Sequence, residues 1–507
     1  PEPGFPLLCL GLFHAPDVLD DIERAPAYSF EIGALEPSVS RDEFIEAIGR
    51  IKAQLAEGAT YQVNYTYRLF AEFNGDAWAF FHDLVSGQKA EHAAFIETDD
   101  FAICSASPEL FFSFNNGRLL SRPMKGTERR GRTLSEDQAQ ADALYQSKKN
   151  RAENIMIVDM IRNDIGRVAD PGTVEVVSQF DVEKYPTVWQ LTSTVAGTSS
   201  AGVTAIWNAL FPCASITGAP KAKTMEIIQS LETTPRKIYT GSMGFITPEG
   251  EACFNVAIRT ALIDRRVDRL EFGVGGGIVW DSEAQAEFEE TLTKARVLTQ
   301  PRPVFQLLET LLWEPGSGVF LQAEHLQRLG NSASYFDIPL DVGAVLQQLE
   351  ETFQTLGQAP HRIRLLVSRD GHIEIQTFPL SQTGPVVKKL ALARQPVDSQ
   401  DVFLFHKTTH REIYEKAKAA FPAYDDVVLW NEKGEVTETC IANIVIRKGI
   451  TLITPPVECG LLAGTFRAHL LKSGEIEEDK VTLDDMKKAD EIFLVNSVRR
   501  WQKAILG

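Results

Sequence analysis

The alternation of apolar and polar residues divides the chain into two halves, each with both strands and amphipathic helices. In the first half, strand-like runs alternate with long helical patterns, and one of them, Thr133 to Asn163, opens with a capping-box sequence. In the second half, strand patterns at Asp426 to Trp430 and Ile441 to Arg447 follow a helix predicted over His325 to Tyr335. The pattern predicts an α+β or α/β architecture.

The segment Thr299 to Pro303 separates the two halves. It carries two prolines, which block helix continuation, between a helical pattern that ends near Leu298 and a strand-like run over Val304 to Leu308. A chain of 507 residues is too long for one ordinary core. We therefore predict one domain over residues 1–300 and a second over residues 301–507.

Composition limits the partners of the protein. The chain has 51 Lys and Arg against 69 Asp and Glu, a formal net charge of −18, which disfavours nonspecific attraction to nucleic acid or an anionic membrane. Six cysteines lack C-x-x-C spacing, and no apolar run reaches membrane-spanning length. We expect a cytoplasmic protein with no nucleic-acid or membrane partner. Because the sequence starts without methionine or a basic leader, we also expect a processed or truncated N terminus.

The most informative motif is Arg122-Pro123-Met124-Lys125-Gly126-Thr127. A proline before the lysine and a glycine after it predict a fixed turn, which would hold the Lys125 amine in place as a nucleophile. The alternative is a solvated surface lysine, the commonest state of this residue type. Glu109, in Ser105-Ala106-Ser107-Pro108-Glu109, precedes the motif as a candidate acid.

Three acids in two helical patterns are candidate metal ligands. Glu153 lies beside an apolar stripe, and Glu287 and Glu290 lie one turn apart on a helix predicted over Ala284 to Leu298, with Lys294 a further turn along. Magnesium is held by one or two carboxylates with waters and ligand oxygens, so Glu153 and Glu290 suffice if an anionic ligand lies between them. The alternative is a pair of solvated helix faces.

A predicted hairpin carries candidate binding groups. A hairpin predicted over Gly244 to Arg259 places Asn255, Ala257 and Arg259 on one strand face. Arg259 could bind a carboxylate with two parallel hydrogen bonds, with Tyr239 sharing the anion, unless it forms a structural ion pair.

The glycine run Gly273 to Gly277 continues into a strand over Ile278 to Trp280 and not into the helix that a dinucleotide loop requires. Such glycines let a ligand approach backbone amides, or form a bulge.

These motifs, with Ser215 to Lys221, resemble those of the chorismate-utilising enzymes over roughly Ser40 to Leu298. Within that family, the lysine of Pro-x-Lys-Gly-Thr is similar to aminodeoxychorismate synthase component I, whereas anthranilate synthase component I usually has alanine there. The resemblance implies an α+β domain of the α/β sandwich type that converts chorismate and ammonia to 4-amino-4-deoxychorismate. Lys125 would attack C2 while Glu109 protonates the departing C4 hydroxyl, and ammonia would then add at C4 and expel the lysine.

The resemblance also implies the ligand contacts. Mg²⁺ would be held by Glu153 and Glu290, with Glu287 beside them. Chorismate would contact Ser215, Thr217, Tyr239, Arg259, Gly275, Gly277 and Lys294. Two positions depart from the family pattern: Gln190 stands where many relatives have histidine, and Asn150 where they often have an acid.

A second set of motifs lies in the C-terminal half. Lys407 follows a strand-like run over Val402 to Phe405, and Glu438 comes shortly before another strand. A buried lysine and carboxylate would suit pyridoxal phosphate, with the acid at its pyridine nitrogen, although each alone is more often a surface charge.

Three further groups suit phosphate binding. They are Arg328, the loop Leu462 to Thr465 before a helix, and the step Asn496-Ser497 after a strand.

This second set resembles fold type IV pyridoxal phosphate enzymes over roughly Val304 to Leu506, a group that contains aminodeoxychorismate lyase and branched-chain aminotransferases. The resemblance implies an α+β domain that binds the cofactor through Arg328, Lys407, Glu438, Thr465 and Ser497. The motifs do not separate lyase from aminotransferase, and Phe466 departs from the threonine that some relatives carry. Fusion to the first half favours the lyase, in which Lys407 would accept the C4 proton and pyruvate loss would give 4-aminobenzoate.

The expected function is two-step synthesis of 4-aminobenzoate, a folate precursor. No cysteine has a Gly-flanked nucleophile pattern, so ammonia would come from a separate glutamine amidotransferase subunit. A homodimer through the C-terminal domain is a further expectation. Two alternatives stay open: an anthranilate or isochorismate synthase-like enzyme with an appended aminotransferase, and a silent chorismate-binding regulator, which Gln190 and Asn150 would favour.

Overall fold

The computed structural model describes residues 5–18, 29–88, 90–298, 303–380 and 387–507. The described residues form two compact units. The first unit lies within Pro1–Arg130 and Gln140–Arg302, and the second within Gly131–Ala139 and Pro303–Gly507. Most of the linker predicted at Thr299 to Pro303 lies outside the described residues. No described helix is long and apolar enough to cross a membrane.

The elements of the described residues are as follows. The helices are α1 (Arg41–Ala56), α2 (Ala77–Ser86), α3 (Leu134–Gln146), α4 (Lys148–Gly166), α5 (Val203–Leu210), α6 (Lys221–Leu231), α7 (Ala284–Ala295), α8 (Gln322–Phe336), α9 (Val342–Thr355), α10 (Glu412–Ala419), α11 (Thr465–Lys472) and α12 (Leu483–Lys488). The strands up to residue 278 are β1 (Phe30–Ile32), β2 (Glu36–Pro37), β3 (Gln62–Gly75), β4 (His92–Glu97), β5 (Phe101–Ser107), β6 (Leu110–Asn115), β7 (Arg118–Arg122), β8 (Met124–Arg129), β9 (Glu175–Lys184), β10 (Val188–Thr198), β11 (Gly218–Ala219), β12 (Gly244–Ile246), β13 (Ala252–Asn255), β14 (Thr260–Asp264) and β15 (Arg269–Ile278). The later strands are β16 (Leu307–Glu314), β17 (Gly318–Val319), β18 (His361–Val367), β19 (Ile373–Pro379), β20 (Lys388–Leu392), β21 (Asp426–Trp430), β22 (Val436–Thr439), β23 (Asn443–Lys448), β24 (Thr451–Thr454), β25 (Glu477–Glu478), β26 (Glu491–Asn496) and β27 (Arg500–Leu506).

The first unit contains two large sheets. One has the order β1-β3-β15-β14-β5-β4, with β2 and β11 also paired to β3, and the other has the order β12-β13-β6-β7-β10-β8, with β9 paired to β10. Most of β3 is buried, and it pairs antiparallel with β15 so that Asn64 faces Gly277 and Thr66 faces Gly275. A core that includes Phe44 of α1 packs on the first sheet. This pairing places the glycine run beside the start of β3.

The second unit also contains two sheets. A four-stranded sheet has the order β17-β16-β18-β19. In the larger sheet, β22-β21-β20-β27-β26-β23-β24-β25, an additional pairing between β22 and β23 closes part of the sheet into a ring. Glu438 on β22 faces Asn443 on β23 at this closure. The described residues therefore contain mixed helix and sheet structure in both units, as predicted.

The strand predicted over Ile278 to Trp280 was wrong beyond Ile278, where β15 ends. Four further local predictions were wrong, each for a physical reason. The helix predicted over Thr133 to Asn163 is two helices, because Ser147 caps the start of α4 by accepting a hydrogen bond from the Asn150 N–H at 3.3 Å. Lys125 lies on a strand and not in a turn, because β8 pairs with β10 across a register shift, with Gly126 at φ +104° in the left-handed region.

The other two wrong predictions concern a strand and a hairpin. The run at Val402 to Phe405 is a 3₁₀ turn, because the Asp401 carboxylate accepts from the Phe403 N–H at 2.9 Å. Strand β13 ends at Asn255, so Arg259 lies in the connection to β14, with φ 49°, and not on a shared strand face.

Candidate active sites

Lys125 of β8 is partly buried against the loop that follows α5. Its Nζ donates to the Ser215 carbonyl at 3.3 Å. The Lys125 carbonyl accepts from the Asn154 side-chain amide at 3.4 Å, and the Asn154 oxygen accepts from the Ser193 hydroxyl at 2.6 Å. Burial lowers the pKa of Lys125, and the charge of Lys294 lowers it further, against the opposing effect of nearby acids. More of the amine is therefore neutral near pH 7, as a nucleophile requires.

Glu109 lies in the connection between β5 and β6 and is 3% exposed. Burial raises the pKa of its carboxyl to about 7, although a hydrogen bond from Ser215 and the charge of Lys125 act in the opposite direction. Its Oε1 has no hydrogen-bond partner among the described residues. A carboxyl that keeps its proton near neutral pH can act as a general acid, and an unpartnered buried oxygen is suited to meet a ligand group.

Gln62 belongs to the same site, although the sequence analysis missed it. Gln62 is the first residue of β3 and is 1% exposed, and its side-chain Oε1 has no hydrogen-bond partner among the described residues. A Cβ at Gly277 would overlap the Gln62 amide nitrogen and lie 3.0 Å from Lys125 Nζ, so only glycine lets both groups approach here. The sequence offered no distinctive signal for Gln62, because Asn64, Thr66 and Arg68 of the same strand are also buried polar residues.

The three predicted acids lie in one region with Lys294. Lys294 Nζ is 2.8 Å from Glu290 Oε1 and donates to the Gly275 carbonyl at 2.8 Å. Its charge lowers the pKa of Glu290, whereas burial raises the pKa of Glu153 and of Glu287, with repulsion between the acids adding to both. No described group of three or more His, Cys, Asp and Glu side chains is arranged to hold a metal ion. A cation here would therefore need oxygens of a bound ligand in addition to one or two of these carboxylates.

Arg259 lacks a carboxylate partner among the described residues. It donates to the Gln88 side-chain oxygen and lies 5.9 Å from the Tyr185 ring centre, and burial lowers its pKa to about 10. The structural ion pair that we considered is not formed within the part of the chain described here. A partly buried guanidinium of this kind suits an anionic ligand.

The other predicted ligand contacts are held by different neighbours. The centre of the Tyr239 ring lies 5.0 Å from the Arg68 guanidinium carbon. Burial raises the pKa of the Tyr239 hydroxyl to about 12. Ser215 and Thr217 belong to the buried loop beside Lys125, where the Thr217 hydroxyl donates to the Cys213 carbonyl at 3.2 Å. At one departure from the family pattern, the Gln190 side-chain oxygen accepts from the Thr127 hydroxyl at 3.1 Å.

In the second unit, Lys407 is a partly buried amine. It follows the 3₁₀ turn, and its carbonyl accepts from the Leu308 N–H at 2.9 Å. Burial lowers the pKa of Lys407 to about 8, and the charge of Arg328 acts in the same direction. The preceding His406 is fixed by Ser332, whose hydroxyl lies 2.9 Å from Nδ1. The second unit therefore holds an amine with a substantial neutral fraction near pH 7.

Glu438 is the buried acid near this amine. Burial raises its pKa to about 7, although hydrogen bonds from Tyr414 at 2.8 Å and the Leu462 N–H at 3.3 Å, and the charge of Lys407, lower it. Asn443 donates to the other carboxylate oxygen at 3.2 Å. These contacts fix the carboxyl in a position where its proton could be shared with a ring nitrogen.

A buried ion pair that the sequence analysis missed orients Arg328. Arg328 donates to both oxygens of Glu309, at 2.8 and 2.6 Å, and to the Ala463 carbonyl at 3.2 Å. His325 Nδ1 lies 2.7 Å from the same carboxylate, and its Nε2 lies 3.2 Å from the Thr465 hydroxyl. Although burial raises it, the charge of Arg328 and these hydrogen bonds lower the pKa of Glu309 to about 2. Arg328 and Thr465, at the start of α11, therefore belong to one network.

Ser497 lies outside the Arg328 network but contacts the same strand, β16. Its hydroxyl donates to the Thr310 carbonyl at 3.4 Å, and Thr310 follows Glu309 on β16. The predicted cofactor contacts thus cluster around β16, β22 and the start of α11.

Two family models match the chain. Residues 17–300 match the chorismate binding enzyme family, and residues 306–504 match amino-transferase class IV. The aminodeoxychorismate synthase component 1 of Salmonella typhimurium is 41% identical over 283 residues, which cover 55% of this chain and 62% of that protein. The Escherichia coli protein of the same name is 40% identical over 268 residues, 52% of this chain and 59% of that one. The chain therefore covers less than two thirds of these relatives.

Solved structures resemble each half. Anthranilate synthase component I from Streptococcus pneumoniae is 30% identical, with 57% of this chain and 63% of that chain covered and a TM-score of 0.49. A Mesorhizobium loti protein provisionally named an amino-acid aminotransferase is 34% identical, with 40% of this chain and 100% of that chain covered and a TM-score of 0.39.

Proposed function

Since the chain belongs to the chorismate binding enzyme family and also carries an aminotransferase class IV domain, we propose that it is a bifunctional enzyme that makes 4-aminobenzoate. One observation carries the first half of this proposal. Lys125, whose pKa is lowered, and Glu109, whose pKa is raised to about 7, both contact Ser215 in one buried site. A neutral amine beside a protonated carboxyl is the pair that covalent amination needs.

In the first step, the Lys125 amine attacks C2 of chorismate. The ring double bonds shift and the C4 hydroxyl leaves as water, with its proton supplied by Glu109. Ammonia then adds at C4, the double bonds shift back, and the C2–nitrogen bond to Lys125 breaks to give 4-amino-4-deoxychorismate. Splitting one displacement into two lowers each barrier. Arg259 would bind a carboxylate of the substrate, and Gln62 would accept a hydrogen bond from a substrate or ammonia N–H or O–H group.

Magnesium is the proposed metal of this site. Glu153 and Glu290 would bind it together with oxygens of chorismate, and Glu287 lies beside them. Because Lys294 already pairs with Glu290 at 2.8 Å, a cation there would share that carboxylate with the lysine. The metal would neutralise the Glu153 carboxylate, whose pKa is raised by burial and also by repulsion from Glu287 and Glu290.

The aminotransferase class IV domain implies pyridoxal phosphate, and the second unit fits that cofactor. When bound, the cofactor supplies an electron sink for the carbon next to the substrate nitrogen. Lys407 would hold the cofactor and then take the proton from C4 of 4-amino-4-deoxychorismate. Glu438 would hold a proton at the pyridine nitrogen.

The phosphate would lie near Arg328, Thr465 and Ser497. Loss of the enolpyruvyl group as pyruvate would then leave the aromatic ring of 4-aminobenzoate.

The proposal includes partners. The curated relatives named above are component 1 proteins, which supports a separate glutamine amidotransferase as the ammonia source. We also propose a cytoplasmic location and a homodimer through the second unit.

Product analysis tests the proposed function. The full chain is mixed with chorismate, ammonium, Mg²⁺ and pyridoxal phosphate, and products are separated by chromatography with mass detection. The proposal predicts 4-aminobenzoate and pyruvate in equal amounts. Accumulation of 4-amino-4-deoxychorismate alone would contradict the lyase half, whereas 2-aminobenzoate or isochorismate would contradict the first half. No chorismate turnover would favour a silent binder.

Glu109→Gln is expected to lower kcat for chorismate amination by about 10²- to 10⁴-fold, because the amide cannot protonate the leaving hydroxyl. In the wild type, activity should fall as pH rises through about 7, where Glu109 loses its proton. Free ammonia is held constant across the pH series. The exposed Glu249→Gln serves as the control and should leave rate and pH profile unchanged. A Glu109→Gln variant that keeps the wild-type alkaline limb would assign the proton to another group.

A further inference from the structure

Glu232, which directly follows α6, is a buried acceptor that joins two segments of the first unit. Its Oε1 accepts from the Thr66 N–H at 2.9 Å and from the Thr66 hydroxyl at 2.8 Å. Arg236 donates to both of its oxygens, from Nε at 2.9 Å and from Nη2 at 2.7 Å. Both side chains are largely buried, with 6% of Glu232 and 17% of Arg236 exposed. The Glu232 carboxylate therefore holds the Arg236 guanidinium in a fixed orientation against β3.

Two further N–H groups of Arg236 donate to backbone carbonyls. Nη1 donates to the Ile216 carbonyl at 2.9 Å, and Nη2 donates to the Asn64 carbonyl at 2.7 Å. Beside them, the Asn64 N–H donates to the Thr217 carbonyl at 2.8 Å. Arg236 thus ties the loop that contains Ile216 and Thr217 to β3.

That loop supports both reacting groups of the proposed reaction. The Ser215 carbonyl accepts from Lys125 Nζ at 3.3 Å, and the Ser215 side chain hydrogen-bonds to Glu109. On the other side of the tie, Gln62 lies two residues before Asn64 on β3. A shift of the loop against β3 would therefore move the contacts of Lys125 and Glu109 away from Gln62.

Apolar packing holds only part of the loop, with Ala214 and Ile216 in a buried core cluster. A cavity of about 400 Å³ borders Ile216 and Thr217, and Glu232, Arg236 and Tyr239 line it too. Where one side of a loop borders such a cavity, hydrogen bonds to that loop add to the rigidity that close packing supplies on the other side. The desolvation of a buried ion pair also makes it a weak source of stability. Both points favour a role in geometry over a role in folding.

We propose that Glu232 and Arg236 are positioning residues for the chorismate reaction, which hold the Ser215 to Thr217 loop at the distance from β3 that aligns Lys125 with Glu109. Neither residue contacts the reacting atoms, and the inference rests on the function proposed for the first unit. Glu232→Gln tests it. A glutamine amide can accept at only one of its two polar atoms, so its NH₂ group faces an Arg236 donor and the bidentate pair is lost.

Glu232→Gln in the full chain is expected to lower kcat by roughly tenfold or more, with KM for chorismate changed less than about threefold. The alkaline limb of the rate profile should also move to higher pH, because the Ser215 hydrogen bond is one of the contacts that lower the pKa of Glu109. A general loss of folded protein would scale the rate without moving that limb. Glu226→Gln is the matched control, since Glu226 lies on α6, the helix that Glu232 follows, in an exposed ion pair with Lys223 at 3.0 Å.

The outcomes separate this inference from the proposed function. If the wild type turns over no chorismate, both fail. If the wild type is active and Glu232→Gln keeps the kcat and alkaline limb of Glu226→Gln, only the positioning role fails, and the same holds if KM rises while kcat does not fall. If Glu232→Gln does not fold, as judged by circular dichroism, Arg236→Lys replaces it with the same expectation, because lysine keeps the charge but cannot make the forked contacts.

Discussion

Replacing Lys125 with alanine is expected to lower kcat for chorismate amination at least about a thousandfold, the scale on which loss of a covalent nucleophile acts. The site leaves no obvious substitute. Lys294, a second amine in the region, is paired with Glu290 at 2.8 Å and donates to the Gly275 carbonyl. Chorismate consumption, followed by chromatography, measures the effect.

Lys125→Arg separates nucleophilicity from charge. Arginine keeps the positive charge but stays protonated, so it should be as inactive as alanine. Lys148→Ala, at an exposed position at the start of α4, is the matched control and should keep wild-type activity. If Lys125→Arg aminates chorismate at even a tenth of the wild-type rate, the lysine is an electrostatic group and not a nucleophile.

Replacing Lys407 with alanine is expected to stop formation of 4-aminobenzoate and pyruvate while chorismate is still consumed. The reason is that Lys407 is a partly buried amine of the second unit whose pKa is lowered to about 8, near the buried acid Glu438. 4-Amino-4-deoxychorismate should accumulate in place of the products. The rate of pyruvate release, measured with lactate dehydrogenase, is expected to fall at least about a thousandfold.

The control for Lys407 is Lys416→Ala, on the exposed face of α10, where the side chain is 78% exposed. That variant should release pyruvate at the wild-type rate. If Lys407→Ala released pyruvate at the wild-type rate, Lys407 would not be the lyase residue. If this variant also stopped consuming chorismate, the two units would not carry out their reactions independently.

The residue types of both sites could be predicted from the sequence, whereas their supports could not. Lys125, Glu109, Lys407 and Glu438 are polar groups in distinctive motifs, and the structure places each pair in one region. Gln62 had no motif around it. Its role depends on strand pairing that brings residues more than two hundred positions apart in sequence into contact, which local pattern does not encode.

The predictions of local structure were wrong where a single residue determines the backbone conformation. Ser147 divides a helical pattern because its hydroxyl satisfies a free N–H group at the start of α4. Gly126 suggested a turn, yet its left-handed φ accommodates a register shift within a strand. The Glu309 pair with Arg328 was missed because an acid in an apolar strand and an arginine in a later helix share no spacing signal.

The central claim is that Lys125 becomes covalently attached to the substrate. Mass spectrometry of the intact protein and of its peptides, after incubation with chorismate and Mg²⁺ without ammonia, tests it most directly. The account predicts an adduct of chorismate less one water on the peptide that contains Lys125, discharged to 4-amino-4-deoxychorismate when ammonium is added and absent from Lys125→Arg. Full turnover with no adduct at any time, or an adduct on another residue that ammonium discharges to product, would contradict it.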